Sequence, residues 1–164
     1  MPGCCSKPYG SPCGRPYSCR SLLSDTQTVT YSVGLIPGTA ALVVSTAGVY
    51  LSAPLTGGGE LFTLTCDSVV TLTFVTNVYG LAVGTVSVAL QVLNSGTAAV
   101  QASELVPPIV QLGIGSIDAV TASFTLKLSA GTYKALVLLT SLGGAPVSIN
   151  IAGALTVTSV KRYA

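Results

Sequence analysis

Five cysteines hold the reactive side-chain chemistry of this chain, and four of them, Cys4, Cys5, Cys13 and Cys19, crowd into its first nineteen residues. A thiolate can ligate a metal, attack an electrophile or join a second sulfur, and spacing helps to choose among these. A closed zinc site wants four thiolates in paired spacing such as C-x2-C. This segment offers an adjacent pair and then two single cysteines. Neighbouring side chains of an extended chain point in different directions, so Cys4 and Cys5 are suited to meeting different partners, as inter-subunit cross-linking requires. No metal site and no cofactor is expected. Five is an odd number, so under full oxidation one thiol is free or pairs with another chain. Cys66, which follows Phe62-Thr63-Leu64-Thr65, has two readings: a buried small hydrophobe, or an acceptor for a cysteine of the N-terminal segment, including one from a neighbouring subunit. Tyr9 and Tyr17, preceded by Pro8 and Pro16, read either as docking anchors or as ordinary residues of a low-complexity segment.

Other chemistry is sparse. The chain has no histidine, which removes the usual general base and the commonest metal ligand together. The five carboxylates, Asp25, Glu60, Asp67, Glu104 and Asp118, are dispersed along the sequence, so an acid/base pair would have to be assembled entirely by the fold. Gly113-Ile114-Gly115-Ser116-Ile117-Asp118 begins like a dinucleotide-binding loop but lacks its third glycine and a surrounding βαβ unit, and it reads as a turn. An abundant serine or threonine without an activating base is a surface hydroxyl. No catalytic residue and no enzyme activity is expected.

Composition narrows the partners. Seven basic and five acidic residues make 7% of the chain charged, against 49% apolar, where an ordinary soluble domain has roughly 25% charged residues. Such a surface is poorly dispersed by charge and is most simply buried against copies of itself. The basic residues form no stripe, so phosphate-driven nucleic-acid binding is not expected. The longest clean apolar run, Ala135 to Leu139, is far below the roughly 18 residues of a membrane span, and the start of the chain has no apolar stretch of the kind a secretory signal requires.

These side chains need a scaffold to position them, and the pattern changes abruptly along the chain. Residues 1–25 alternate Pro and Gly with Cys, Ser, Tyr and basic residues, which implies an extended or irregular connector. Residues 26–164 are short Val, Leu, Thr, Ser and Ala runs broken by turn residues. Val69–Val75, Val86–Val92 and Ser123–Leu128 alternate with period two. Further strands are predicted at Val29–Val33, Ala41–Val44, Val49–Leu51, Glu60–Thr65, Leu105–Leu112, Tyr133–Thr140, Val147–Ile151 and Leu155–Val160, with turns at Gly57-Gly58-Gly59, Asn94-Ser95-Gly96, Pro107-Pro108 and Gly143-Gly144. Abundant β-branched residues argue against helix. The expected fold is all-β, a jelly-roll sandwich of about 8–10 antiparallel strands that hides its edges. Ala47-Gly48-Val49-Tyr50-Leu51 echoes Ala130-Gly131-Thr132-Tyr133-Lys134, each a glycine turn releasing a tyrosine into a strand.

The strand Val69–Val78, the break through Gly80 and Gly84, the strand Val86–Leu93, the Asn94-Ser95-Gly96 turn, Ser123–Leu128 and the close Leu155–Val160 followed by Lys161-Arg162-Tyr163-Ala164 resemble the C1q/TNF-like jelly roll of Bacillus spore-surface collagen-like glycoproteins. That resemblance implies a compact homotrimer, although no Gly-X-Y stalk precedes the domain. Cys4-Cys5 followed by Cys13 or Cys19 is similar to the N-terminal connector of Bacillus endospore-appendage (pilus) subunits, which reaches into the neighbouring subunit and locks to it. The usual C-terminal cysteine of that family is absent. Together these resemblances imply a self-assembling structural subunit of a spore-surface fibre, made in the mother-cell cytoplasm and exposed after lysis. Its partners would be itself and other spore-surface proteins of the exosporium or appendage. The alternative is a trimeric receptor- or glycan-binding module, with loops near Gly57–Glu60 and Thr97–Glu104 as candidate contacts.

Overall fold

A computed structural model describes residues 24–33, 41–51, 60–97 and 99–161. The candidate residues Cys4, Cys5, Cys13, Cys19, Tyr9 and Tyr17 lie outside them, as do Gly57–Gly59. The described residues form eleven strands and no helix: β1 Ser24–Val33, β2 Leu42–Val44, β3 Val49–Leu51, β4 Glu60–Leu64, β5 Ser68–Gly80, β6 Gly84–Asn94, β7 Val100–Ser103, β8 Ile109–Leu112, β9 Ile117–Leu128, β10 Gly131–Ser141 and β11 Val147–Lys161.

All pairings are antiparallel. One sheet has the order β1-β11-β5-β9, with β2 also on β11. The other has the order β3-β10-β6-β7, with β4 also on β10 and β8 also on β6. If β1 and β2 share one position along β11, β3 and β4 one along β10, and β7 and β8 one along β6, eight positions remain, ordered 1-8-3-6 in one sheet and 2-7-4-5 in the other. This is the jelly roll, in which the two sheets close face to face.

Period-two alternation sends one side of each strand inward. β5 buries Val70, Leu72, Phe74 and Val78, and β6 buries Val86, Val88, Leu90 and Val92. β10 adds Ala135, Val137 and Leu139, and β11 adds Ile149, Ile151, Leu155 and Val157. Burial of each large aliphatic or aromatic side chain contributes about 1.5–3 kcal/mol, so this one core accounts for the cohesion of the body.

Three details differ from the pattern-based reading. The runs Val147–Ile151 and Leu155–Val160 are one fifteen-residue strand. Gly153, between the two runs, lies where an added Cβ would stand 2.4 Å from the Val75 carbonyl oxygen and 2.6 Å from Thr76 Cβ. It permits close packing rather than ending the strand. The run Leu105–Leu112 is not one strand, because Pro107 and Pro108 have no N–H to give a ladder. β7 lies before it and β8 at its end, so the segment Thr97–Glu104 contains a strand. Backbone bonds from Val88 N to Pro108 O (3.0 Å) and from Glu104 N to Leu90 O (2.9 Å) keep the linker against β6.

Candidate functional site

Register places the chain's distinctive residues at two opposite ends of the sandwich. β5, thirteen residues long, spans about 43 Å at the usual rise per residue, which sets the distance between them.

At the first end, Ser24 pairs with Val160, Val160 with Val69, and Val69 with Lys127. The entry of the chain into β1, the exit of β11 and the turn between β4 and β5 therefore lie side by side. Cys66 occupies that turn, is 5% exposed and is disulfide-bonded. The other cysteines of the chain are the four of the N-terminal segment. The turn is fastened by Ser68 Oγ donating to the Cys66 carbonyl at 2.8 Å, and by Ala130 N donating to Asp67 Oδ1 at 3.1 Å. Tyr133 stacks on Phe62 with ring centroids 5.7 Å apart and donates its hydroxyl to the Ser129 carbonyl at 2.9 Å. Most of the charge among the described residues gathers here. Lys161 pairs with Ser68, Lys134 with Leu61 and Leu93, Glu60 with Ala135, and Asp25 with Ser159.

The second end is made from the β2–β3, β5–β6, β8–β9 and β10–β11 turns. They are sewn together by Gly80 N to Ser116 O (2.9 Å), Gly115 N to Gly80 O (2.8 Å), Leu81 N to Ser148 O (3.1 Å), Leu142 N to Thr85 O (2.9 Å) and Ser141 N to Ser45 O (3.0 Å). Gly115 has φ of 78°, the left-handed region that glycine enters without penalty, and this closes the tight β8–β9 turn. Five large apolar side chains project from this end. Val83, Ile114 and Ile117 are 76%, 77% and 68% exposed, and Leu81 and Leu142 join them. Among the described residues the only charged group at this end is Asp118, on the inner side of β9 opposite Val78. Its Oδ2 is buried with no hydrogen-bond partner, as is Asn150 Oδ1.

Between the ends, the outer face of the β1-β11-β5-β9 sheet is a field of small hydroxyl side chains. Thr28 meets Thr156 at 3.2 Å, Thr71 meets Thr125 at 2.9 Å, and Thr73 meets Ser123 at 3.1 Å. The other candidate features are used internally. Glu104 Oε2 accepts from Leu90 N at 3.3 Å. The two echoing tyrosines diverge, since Tyr133 is buried while Tyr50 is exposed and donates to Gln91 Oε1 at 3.0 Å.

Sequence reasoning singled out Cys66 but not the uncharged end. The available signal was an aliphatic residue inside a glycine turn, repeated at Gly80-Leu81, Val83-Gly84, Gly113-Ile114-Gly115 and Leu142-Gly143.

No protein-family model and no curated protein matches the chain. Among solved structures it is similar to the VP2 protein of infectious bursal disease virus. A mutant VP2 in T=1 particles aligns at a TM-score of 0.50 and 13% identity over 96% of this chain and 36% of that one. The VP2 subviral particle aligns at 0.49 and 12% identity over 96% and 37%. A virus-like particle of the Macrobrachium rosenbergii extra small virus aligns at 0.29 and 8% identity over 96% and 94%. The chain thus spans little more than a third of the VP2 length, and the likeness is one of fold.

Proposed function

We propose that this chain is a self-assembling structural subunit of a bacterial endospore surface fibre, in which trimeric jelly-roll bodies are joined end to end through their N-terminal segments. The observation that carries this reading is the segregation along the long axis. The entry of the chain into β1, Cys66 and most of the charge among the described residues lie at one end, and a largely apolar surface lies at the other. A contact between unlike ends is heterologous, and when it does not close on itself it generates a filament. Cys66 is disulfide-bonded at the first end, and the cysteines of the N-terminal segment are the candidates for cross-linking subunits. Such links raise kinetic stability, because a covalently tied subunit cannot simply dissociate. The small hydroxyl face, with little charge to bury, supports lateral packing of three bodies. The assignment to a spore surface rests on the resemblance of body and connector to spore proteins.

Negative-stain electron microscopy of the full chain, with and without reductant, tests the reading alongside a variant lacking residues 1–20. Fibres are expected from the full chain, and dispersed trimers from the shortened one, whose β1 is intact. Fibres from the shortened chain would sink the proposal. Dispersed trimers of the full chain in both conditions would favour a receptor- or glycan-binding module.

A further inference from the structure

The two sheets close face to face, so their outer faces point in opposite directions, and those faces differ in chemistry. That of the β1-β11-β5-β9 sheet is the field of small hydroxyl side chains. That of the β3-β10-β6-β7 sheet is largely apolar, and we infer that it pairs with the same face of a second copy in an adjacent fibre, so that fibres associate side by side. This inference rests on the fibre reading above, in which three bodies meet through their hydroxyl faces and the apolar face is turned away from the three-fold axis. It adds what that outward surface does.

Register defines the face. Leu61, Lys134, Leu93 and Val100 form one row across β4, β10, β6 and β7. On the same side Tyr50 pairs with Leu138, and Ile109 with Ser87. Tyr50, Leu61, Val100 and Ile109 are 48%, 54%, 56% and 61% exposed. The polar groups that cross this face are bonded to one another. Tyr50 reaches over β10 to donate to Gln91 Oε1 at 3.0 Å, Gln91 Nε2 donates to Ser103 Oγ at 3.3 Å, and the Thr63 and Thr132 hydroxyls meet at 3.2 Å. Leu136, which pairs with Gln91 on the outer side of β10, is buried. Burying an unpaired polar group is costly, so a face whose polar atoms are paired in advance can be covered by an apolar partner without that penalty.

Charge and area choose the occupant. Among the described residues the face carries one charge, Lys134. Nucleic acids and anionic lipids are held by clustered cations, and a protein surface of ordinary charge would be stripped of water here with nothing to compensate it. The partner must be as poor in charge as the face, and at 7% charged residues the chain itself meets that requirement. Four large side chains about half exposed offer roughly 400 Å², about half of the roughly 800 Å² that each partner gives to a stable complex. One such contact is too small to hold two free trimers together, in keeping with the dispersed trimers expected of the shortened chain. A fibre repeats the face at every subunit, and a second fibre of the same chain repeats it with the same period. Many weak contacts then form together, and avidity raises the affinity with no new kind of contact.

Negative-stain electron microscopy of full-chain fibres tests the face, with Leu61→Gln, Val100→Thr and Ile109→Thr combined in one variant. All three side chains are more than half exposed, so the variant is expected to melt with the parent. No charge is added, so general repulsion between fibres stays as it was. Should the triple variant melt lower, Ile109→Thr alone takes its place. The parent is expected to show fibres in pairs or bundles that persist in about 1 M salt, where exposed ion pairs are screened. The variant is expected to give fibres of the parent's length and width, with the paired fraction lowered about tenfold or more. Equal pairing by parent and variant would put the lateral contact on another surface and overturn the inference. Pairs that dissolve in salt would show a contact between charges and overturn it too. Single fibres of the parent would overturn it while leaving the end-to-end reading intact, whereas a parent that forms no fibres would overturn that reading and the inference with it.

Discussion

The two ends of the sandwich are closed by the same strands, yet they are held by different means. The cysteine end is fastened by side chains: a disulfide at Cys66, the Asp67 bond to Ala130 N and the Tyr133 ring and hydroxyl. The uncharged end is joined between turns by main-chain bonds, with Ser45, Ser116 and Ser141 hydroxyls bonding within their own turns, and its large apolar side chains project outward. An end tied through side chains has spent them on internal partners. An end tied through its backbone keeps its large side chains exposed, as at Val83, Ile114 and Ile117.

The contrast can be broken at either end. The largest expected effect is at the cysteine end, where Cys66→Ala removes the disulfide. A native bridge of this kind is worth about 2–4 kcal/mol, so the variant's denaturation midpoint should fall accordingly, and reductant should bring the parent down to the same value. A variant as stable as the parent would show that the bond contributes nothing to the body. Next comes Gly80→Ala at the uncharged end. The added Cβ would meet the Gly113 carbonyl oxygen at 2.4 Å, and such overpacking costs about 1–3 kcal/mol. Hydrogen exchange should show the Gly115 amide losing protection while the amide of Ala130 at the other end keeps its own. Equal loss at both ends would mean that they open as one unit. The smallest effect is expected from Tyr133→Phe, which keeps the ring stack on Phe62 and removes only the hydroxyl bond to Ser129. Its cost should be about 1 kcal/mol, measured by chemical denaturation.

Much of the scaffold was legible in the chain because strand formation here is local. The alternation of Val, Leu and Phe with Thr and Ser in Val69–Val75 and Ser123–Leu128 is enough to divide an inner from an outer face, whatever the partner strand. Punctuation was less reliable. Val147–Ile151 and Leu155–Val160 read as two runs and are one strand, in which Gly153 is a close approach of two strands that only the neighbouring Val75 and Thr76 reveal. Pro107-Pro108 looked like an interruption inside a strand and is instead a linker that borrows hydrogen bonds from β6. The tyrosine echo shows the same limit, since Tyr50 and Tyr133 follow similar glycine turns but meet opposite sides of their sheet.

Composition and periodicity alone determined that this is an all-β body with few charges, preceded by a cysteine-rich segment, because those properties depend on residue type and on neighbours one or two positions away. Only the tertiary structure decided which residues share an end. Leu81 meets Ser148, and Ser24 lies two strands from Val69, because the jelly-roll order sets β5 and β1 on either side of β11. Those pairings join residues separated by dozens of positions, and their choice depends on how two sheets bury one common core rather than on any local pattern.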